Sequence, residues 1–263
     1  MDRPLVVASA ALLMASALTA QTGSLAKDGT VRAAYLASNP AQAVKDPATG
    51  MARGVVVDLA KELERTHGAK VTLIGLPNPQ RVIDAVRNGE AEIGFVAYNP
   101  ERAGPVEFSK PYLLVNQTFV VRSDSPIRAI TDIDRQDRKV GATRADSIAL
   151  YLGRTLKQGQ LVQLDDSSPE AVYRMLREGA IDAFGSNRQR LTDMTNGVTG
   201  FRLLPDDLYG VEQTIIVPAG RRDALDAVNR FIDDVRRSGA LKTSIERSGV
   251  VGIAVAPEGK TEQ

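Results

Sequence analysis

Two segments of this chain read almost alike: residues 86–94 run V-R-N-G-E-A-E-I-G, and residues 176–185 run L-R-E-G-A-I-D-A-F-G. In each, a helical run stops at a glycine and an apolar strand follows within a few residues. Glycine is the ordinary residue just past a helix end, because the left-handed backbone needed there carries no steric cost without a Cβ. A helix-to-strand unit used twice predicts two α/β lobes built on one plan. The 263 residues are enough for two such lobes, each with its own core and no need of staples.

The patterns around these segments fill out the plan. A strand is predicted over 30–36, then a loop over 37–53 rich in Pro, Asn, Asp and Gly. A helix over 59–66 with Leu59 and Leu63 at i, i+4 spacing, a strand over 71–74, a helix over 81–88 and a strand over 91–97 follow. A long apolar strand at 113–122 leads out of this series. A second series is predicted as strand 140–143, helix 147–157, strand 161–164, helix 169–177 and strand 181–184. Strands alternating with helices specify parallel sheets with crossovers, not a sandwich, and ligand sites in such sheets lie beyond the carboxyl ends of the strands. Strand 213–217 and an amphipathic helix over 223–238, with Leu225, Val228, Ile232 and Val235 on one face, complete the series. The expected division is lobe 1 at 25–115 plus 213–255, lobe 2 at 116–212, and a disordered tail at 256–263. Long strands near Gln117 and Gln213 would form the hinge, leaving a ligand cleft between the lobes.

Composition narrows the function classes. Thirty-three Lys and Arg against 32 Asp and Glu leave a net charge of +1, which offers no basic face for a nucleic-acid partner. Residues 1–20 have the layout of a secretory leader, with Arg3, an apolar run over 5–18 and small residues at the end, so cleavage is expected after Ala20 or Ala17. That run is shorter than the roughly 20 residues a spanning helix needs. There is no cysteine for a disulfide, a thiolate or a lipid anchor at the cleavage site, which favours a periplasmic location.

In this order and spacing the motifs G-V-V-V-D-L-A-K-E-L (54–63), R-V-I-D-A-V-R-N-G-E-A-E-I-G (81–94), N-P-E-R (99–102), E-F-S-K-P-Y (107–112) and G-A-I-D-A-F (179–184) resemble the extracellular solute-binding proteins of polar amino acid uptake, family 3. The resemblance runs from about residue 29 to 249. It implies a two-lobed periplasmic-binding-protein type II fold that closes on a small polar solute, an amino acid or a related carboxylate. It further implies a monomer that works with an inner-membrane ABC permease and performs no chemistry. The alternatives kept open are a cyclohexadienyl-dehydratase-like enzyme on the same fold and a receptor reporting to a membrane sensor.

The resemblance also points to site residues. Arg102 stands where the family places the arginine that forks onto the ligand carboxylate, a pairing that a planar guanidinium suits; the competing reading is a salt bridge with Glu101 or Glu107. Asn99 stands in place of a threonine and could supply a hydrogen bond. Ser38 and Asn39 either bond the ligand or merely build the turn before Pro40, and Tyr98 either walls the cleft or is a core tyrosine.

Two departures from the pattern fall in the second lobe. Ala145-Asp146-Ser147 replaces the Gly-Thr or Gly-Ser of a carboxylate-holding helix start. Asp146 is expected to cap the helix beginning at Ser147, the alternative being a bond from a ligand cation. Asn187 stands where an aspartate usually meets the ligand ammonium, which puts an α-amine on the ligand in question. Arg188 and Arg190 nearby could favour an anion, though exposed helix charges are the commoner reading.

An enzyme on this chain would lack much of the usual equipment. His67, the one histidine, is expected to be an exposed residue complementing a helix end. Asp146 and Glu212 are the only general-acid candidates, and those by elimination. No metal or cofactor is expected: Asp165-Asp166 and Asp233-Asp234 read as loop and helix charges.

Overall fold

A computed structural model describes residues 25–258 except 38, 47 and 145. The expected leader, Ser38 and residues 259–263 of the expected tail lie outside the described residues. The chain divides into two units. Unit 1 holds the described residues up to Leu113, then Glu212–Gly249 and the stretch from Val255; unit 2 holds Leu114–Val211 and Val250–Ala254.

Unit 1 begins with β1 (Thr30–Leu36), the short pair β2 (Val44–Lys45) and β3 (Ala52–Arg53), α1 (Val55–His67), β4 (Lys70–Leu76), α2 (Pro79–Arg87), β5 (Ile93–Ala97) and β6 (Val106–Phe108). β7 (Leu113–Arg122) carries the chain into unit 2, which continues with β8 (Lys139–Thr143), α3 (Ser147–Thr155), β9 (Gln160–Leu164), α4 (Pro169–Glu178), β10 (Ala183–Asn187), α5 (Arg188–Thr195) and β11 (Phe201–Leu203). β12 (Tyr209–Pro218) leads back to unit 1, where α6 (Arg222–Arg237) and α7 (Ala240–Ser248) follow, and β13 (Ile253–Val255) comes last.

The predicted parallel crossovers are present in both units. β1 pairs parallel with β4 from Thr30↔Lys70 to Leu36↔Leu76 and with β5 at Ala33↔Ile93; β8 pairs parallel with β10 and β9. Strands that no crossover helix introduces run the other way. β12 lies antiparallel on β5, with Gln213↔Ala97, and β7 lies antiparallel on β10, with Asn187↔Gln117. Helix–strand alternation specifies only the crossover-linked pairs, so these two directions were not legible in the sequence.

The inner strands of unit 2, β7 and β10, are buried on both faces. Along β7, Phe119 and Val121 pack with Val140, Ile148 and Leu152 on one side, while Val120 packs with Val172, Leu176 and Leu191 on the other. β10 divides in the same way, Ala183 to the first cluster and Phe184 to the second. Successive side chains on a strand point to opposite faces, and a parallel sheet covered by helices on both sides requires apolar residues on each.

The sequence repeat is also a structural one. α2 starts at a capping Asn78 with Pro79 in its first turn, and α4 at a capping Ser168 with Pro169; Gly89 and Gly179 follow the helix ends at φ of 72° and 70°. Past each glycine a backbone N–H turns back on the helix, Ala91 to Ala85 O and Ile181 to Met175 O. Both then supply a carboxylate to the edge of the first parallel strand: Glu92 Oε2 accepts the Arg32 N–H at 2.7 Å, and Asp182 Oδ2 accepts the Lys139 N–H at 2.8 Å. Glu92 and Asp182 thus tie each helix-to-strand unit to its own sheet.

Some expectations need correction. On α6, Leu225 is only half-buried, and the buried stripe is completed by Ala224, Ala227 and Phe231. The tail does not become free at Ala256: that residue is buried and donates its N–H to Tyr112 O. α5, α7, β6, β11 and β13 were not predicted, being short or, for α5 and α7, only weakly amphipathic. His67 is half-buried and meets Phe231 edge-on at 5.9 Å; burial holds its pKa below the ordinary histidine value, so it is not the exposed cation expected.

Candidate functional site

The polar residues of interest collect where the parallel strands of each unit end. In unit 1, β5 runs out at Ala97, and Tyr98 to Arg102 form the turn beyond it. Asn99 Oδ1 accepts the Glu101 N–H at 2.9 Å and starts a single 3-10 turn, Pro100–Arg102. Proline in the first position suits that turn, since its missing N–H would have no partner there.

Arg102 is thereby fixed beside the end of β5, half-buried, with one long contact from Nη1 to Ala97 O at 3.5 Å. Among the described residues no carboxylate lies within ion-pair distance of it, and Glu107 instead accepts the Gly220 N–H. Neither salt bridge considered as the competing reading forms. Burial pushes the Arg102 guanidinium below the usual arginine value, with Glu101 partly opposing. A partly desolvated cation with no carboxylate bonded to it carries an electrostatic cost that an incoming anion relieves.

The remaining candidates of unit 1 are placed as follows. Tyr98 is 38 % exposed and meets Phe108 edge-on at 5.2 Å, so it is not a core tyrosine. Asn39 Oδ1 accepts the Ala41 N–H at 3.1 Å, which is the turn-building role; its amide N–H2 has no partner among the described residues. Gln42 was missed. It is 1 % exposed, accepts the Leu36 N–H at 2.8 Å and donates to Phe95 O at 3.2 Å, stitching the end of β1 to the middle of β5. A glutamine inside a Pro- and Asn-rich loop carries no periodicity to announce such a role.

In unit 2, Asp146 precedes α3 and its Oδ1 accepts the Ser147 N–H at 2.8 Å, the expected capping role. Ser147 itself is exposed. Asn187, the last residue of β10, caps α5 by accepting the Arg190 N–H at 2.8 Å, and among the described residues its N–H2 donor has no partner. Tyr209 stacks on Tyr151 at 4.3 Å, and burial followed by the nearby Asp146 charge drives its pKa upward. Nothing in the sequence marked this pair.

The two arginines of α5 are not the exposed charges expected. Arg188 is held by Asp207 at 2.6 Å and by the carbonyls of Leu204, Pro205 and Asp206. Arg190 lies across the carboxyl ends of two strands, with Nη2 on Ser167 O at 2.6 Å and Ser167 Oγ at 3.0 Å, Nη1 3.4 Å from Thr143 Oγ1, and its guanidinium 5.7 Å from the Phe184 ring centre. Glu212, the other general-acid candidate, is buried, and its carbonyl accepts the Tyr98 N–H. Among the described residues no group of three His, Cys, Asp or Glu is placed to hold a metal ion, and no helix is long and apolar enough to cross a membrane.

Comparison with known proteins gives a consistent picture. The family model described as bacterial extracellular solute-binding proteins, family 3, matches residues 31–248. A glutamine-binding protein of Geobacillus stearothermophilus is 24% identical over 174 residues, which is 64% of this chain and 64% of the relative's own length. The fold matches an amino acid ABC transporter substrate-binding protein of Streptococcus pneumoniae bound to L-arginine, at a TM-score of 0.61 and 18% identity over 84% of this chain and 94% of that one. It also matches an ancestral amino acid-binding protein, a precursor of cyclohexadienyl dehydratase, at 0.62 and 22% identity over 86% and 98%.

Proposed function

We propose, from the fact that this chain belongs to the bacterial extracellular solute-binding proteins, family 3, that it captures a small polar solute outside the inner membrane and delivers it to an ABC permease. The solute class is an amino acid or a related small carboxylate, in line with the glutamine-binding relative and the arginine-bound structural neighbour. Capture proceeds by closure of the two-lobed fold on the solute, with no chemical step. The observation that carries this reading is Arg102: a half-buried guanidinium at the carboxyl end of a parallel strand, with no carboxylate partner among the described residues.

The steps follow from the residues. The solute's carboxylate takes two parallel N–H bonds from the planar guanidinium, which fixes both its position and its orientation. Tyr98, exposed beside the turn, offers a ring face to the body of the solute. Differential affinity for the closed form then shifts the population toward it, and the permease reads the changed surface.

The test is a thermal-shift screen of the purified protein and of Arg102→Ala against amino acids, amines and small carboxylates. A shift confined to carboxylate-bearing solutes and lost in Arg102→Ala is expected. A carboxylate that stabilises both proteins equally removes Arg102 from the site. The likeness to a dehydratase precursor and the buried Glu212 favour one second reading, an enzyme acting on a cyclohexadienyl acid; turnover of such a substrate, lost in Glu212→Gln, would establish it.

A further inference from the structure

One side chain opens the carboxyl end of the unit 1 sheet, and we infer that Gln42 is a positioning residue of the solute site: its amide replaces a ladder bond between β1 and β5 and holds apart the two strands that lead to Asn39 and Arg102. That this governs capture rests on the reading of the chain as a solute-binding protein.

β1 has β4 on one side and β5 on the other, and the chain passes from β1 to β4 before it reaches β5. The strand order therefore reverses between β1 and β5, which is where a parallel sheet leaves a crevice beyond its carboxyl ends. The pairing of these two strands runs through Ala33↔Ile93 and Ala34↔Gly94 and goes no further. Continued in register, Leu36 would stand level with Val96, and its N–H would reach Phe95 O in a direct bond of about 2.9 Å. The Gln42 amide lies between these two groups instead: Oε1 accepts the Leu36 N–H at 2.8 Å, and Nε2 donates to Phe95 O at 3.2 Å. The Leu36 carbonyl is diverted as well, accepting the Asn39 N–H at 3.1 Å.

The amide is held firmly in that place. The Gln42 backbone N–H donates to Asn39 O at 2.9 Å, and its carbonyl accepts the N–H of Val56, in the first turn of α1, at 3.0 Å. Gly54 permits that approach, since a Cβ there would meet Gln42 O at 2.9 Å. Nε2 also has Gln213 Oε1 at 3.5 Å, on β12 beside Ala97. Turning the amide over would set N–H against N–H at Leu36 and carbonyl against carbonyl at Phe95, so its orientation is determined. One acceptor to one strand and one donor to its neighbour is what a peptide group supplies, here at a wider spacing than a direct ladder bond allows. Arg102 stands on the turn after β5, with Nη1 3.5 Å from Ala97 O. A shift of β5 toward β1 would carry the guanidinium with it.

The experiment pairs a crystal structure of Gln42→Ala without solute with calorimetric titrations of the wild-type protein, Gln42→Ala and Gln42→Met. The titrants are the common amino acids, malonate, succinate and glutarate, all used well below the melting temperature. In Gln42→Ala the Leu36 N–H is expected to bond Phe95 O directly. Any titrant that the wild type binds should bind Gln42→Ala about tenfold or more weakly. Gln42→Met keeps the length of the side chain and loses both bonds; it should bind no better, and it serves where Gln42→Ala does not fold. Leu36 and Phe95 as far apart in Gln42→Ala as in the wild type overturn the wedge. Unchanged affinity in either variant, with only the melting temperature lowered, makes the amide a stabilising bond and overturns its positioning role. Absence of binding by every titrant overturns the solute-binding reading, while the separation of Leu36 and Phe95 still decides the wedge.

Discussion

At the scale of single residues, what matters is which polar atoms the fold leaves without a partner. Among the described residues one weak carbonyl contact holds the Arg102 side chain, so its charge and its fork are available together. Arg102→Ala should weaken solute binding at least tenfold, about 1.4 kcal/mol or more. Arg102→Lys keeps the charge but not the planar pair of donors, and should recover only part of that loss in calorimetry; full recovery would show that charge alone suffices. His67 makes a second prediction. Its pKa is lowered chiefly by burial, with the Asp234 charge opposing and Arg230 adding to the effect, while Thr66 Oγ1 faces Nδ1. The folded chain therefore takes up this proton at lower pH than the unfolded chain. The stabilisation is complete above the unfolded value near 6.5 and is lost as pH falls through the folded one. Melting temperature should fall from pH 7.5 to 5.5, and His67→Gln should remove part of the slope. A protein that becomes more stable on acidification by way of His67 would contradict the burial argument.

At the scale of elements, the helix–glycine–strand unit is stabilised by one carboxylate in each copy, and the copies differ in exposure. The Glu92 side chain is 13% exposed and that of Asp182 is 32% exposed. Removing Glu92 leaves the Arg32 N–H with less access to water, so Glu92→Ala should cost about 1–3 kcal/mol in urea unfolding. Asp182→Ala should cost less, because water replaces the lost acceptor more readily. Equal losses would mean that exposure does not control the cost. The cap residues belong to the same scale. Asn78, Ser168 and Asn187 each accept an N–H of the helix they precede, two of them ahead of a proline. Helix 169–178 was accordingly predicted from its first residue, whereas 79–87 was predicted to start only at 81, past its cap and proline, and α5 was not predicted: its cap, Asn187, was read as a ligand position and its surface is mostly polar.

At the scale of the whole molecule, a solute that binds only the folded protein must stabilise it by mass action. A concentration one hundred times the dissociation constant should add about 2.7 kcal/mol, readable as a rise in melting temperature that grows with the logarithm of solute concentration. A bound solute that leaves the melting temperature unchanged would be bound by the unfolded chain as well. Much of the architecture was legible beforehand, because period and punctuation are local: alternation of helix and strand, glycine after a helix, and the twice-used motif follow from a few neighbouring residues. Other features depend on residues far apart in the chain. The antiparallel direction of β7 and β12, the stitching of Leu36 and Phe95 by Gln42, the stacking of Tyr151 on Tyr209, and the placing of Arg190 across Thr143 and Ser167 all join such distant positions. By itself the sequence determined the α/β class, the repeated plan and the positions where polar groups would gather. Only the tertiary structure decided which of those groups were already satisfied, because a hydrogen bond is settled by distance in space and not by separation along the chain.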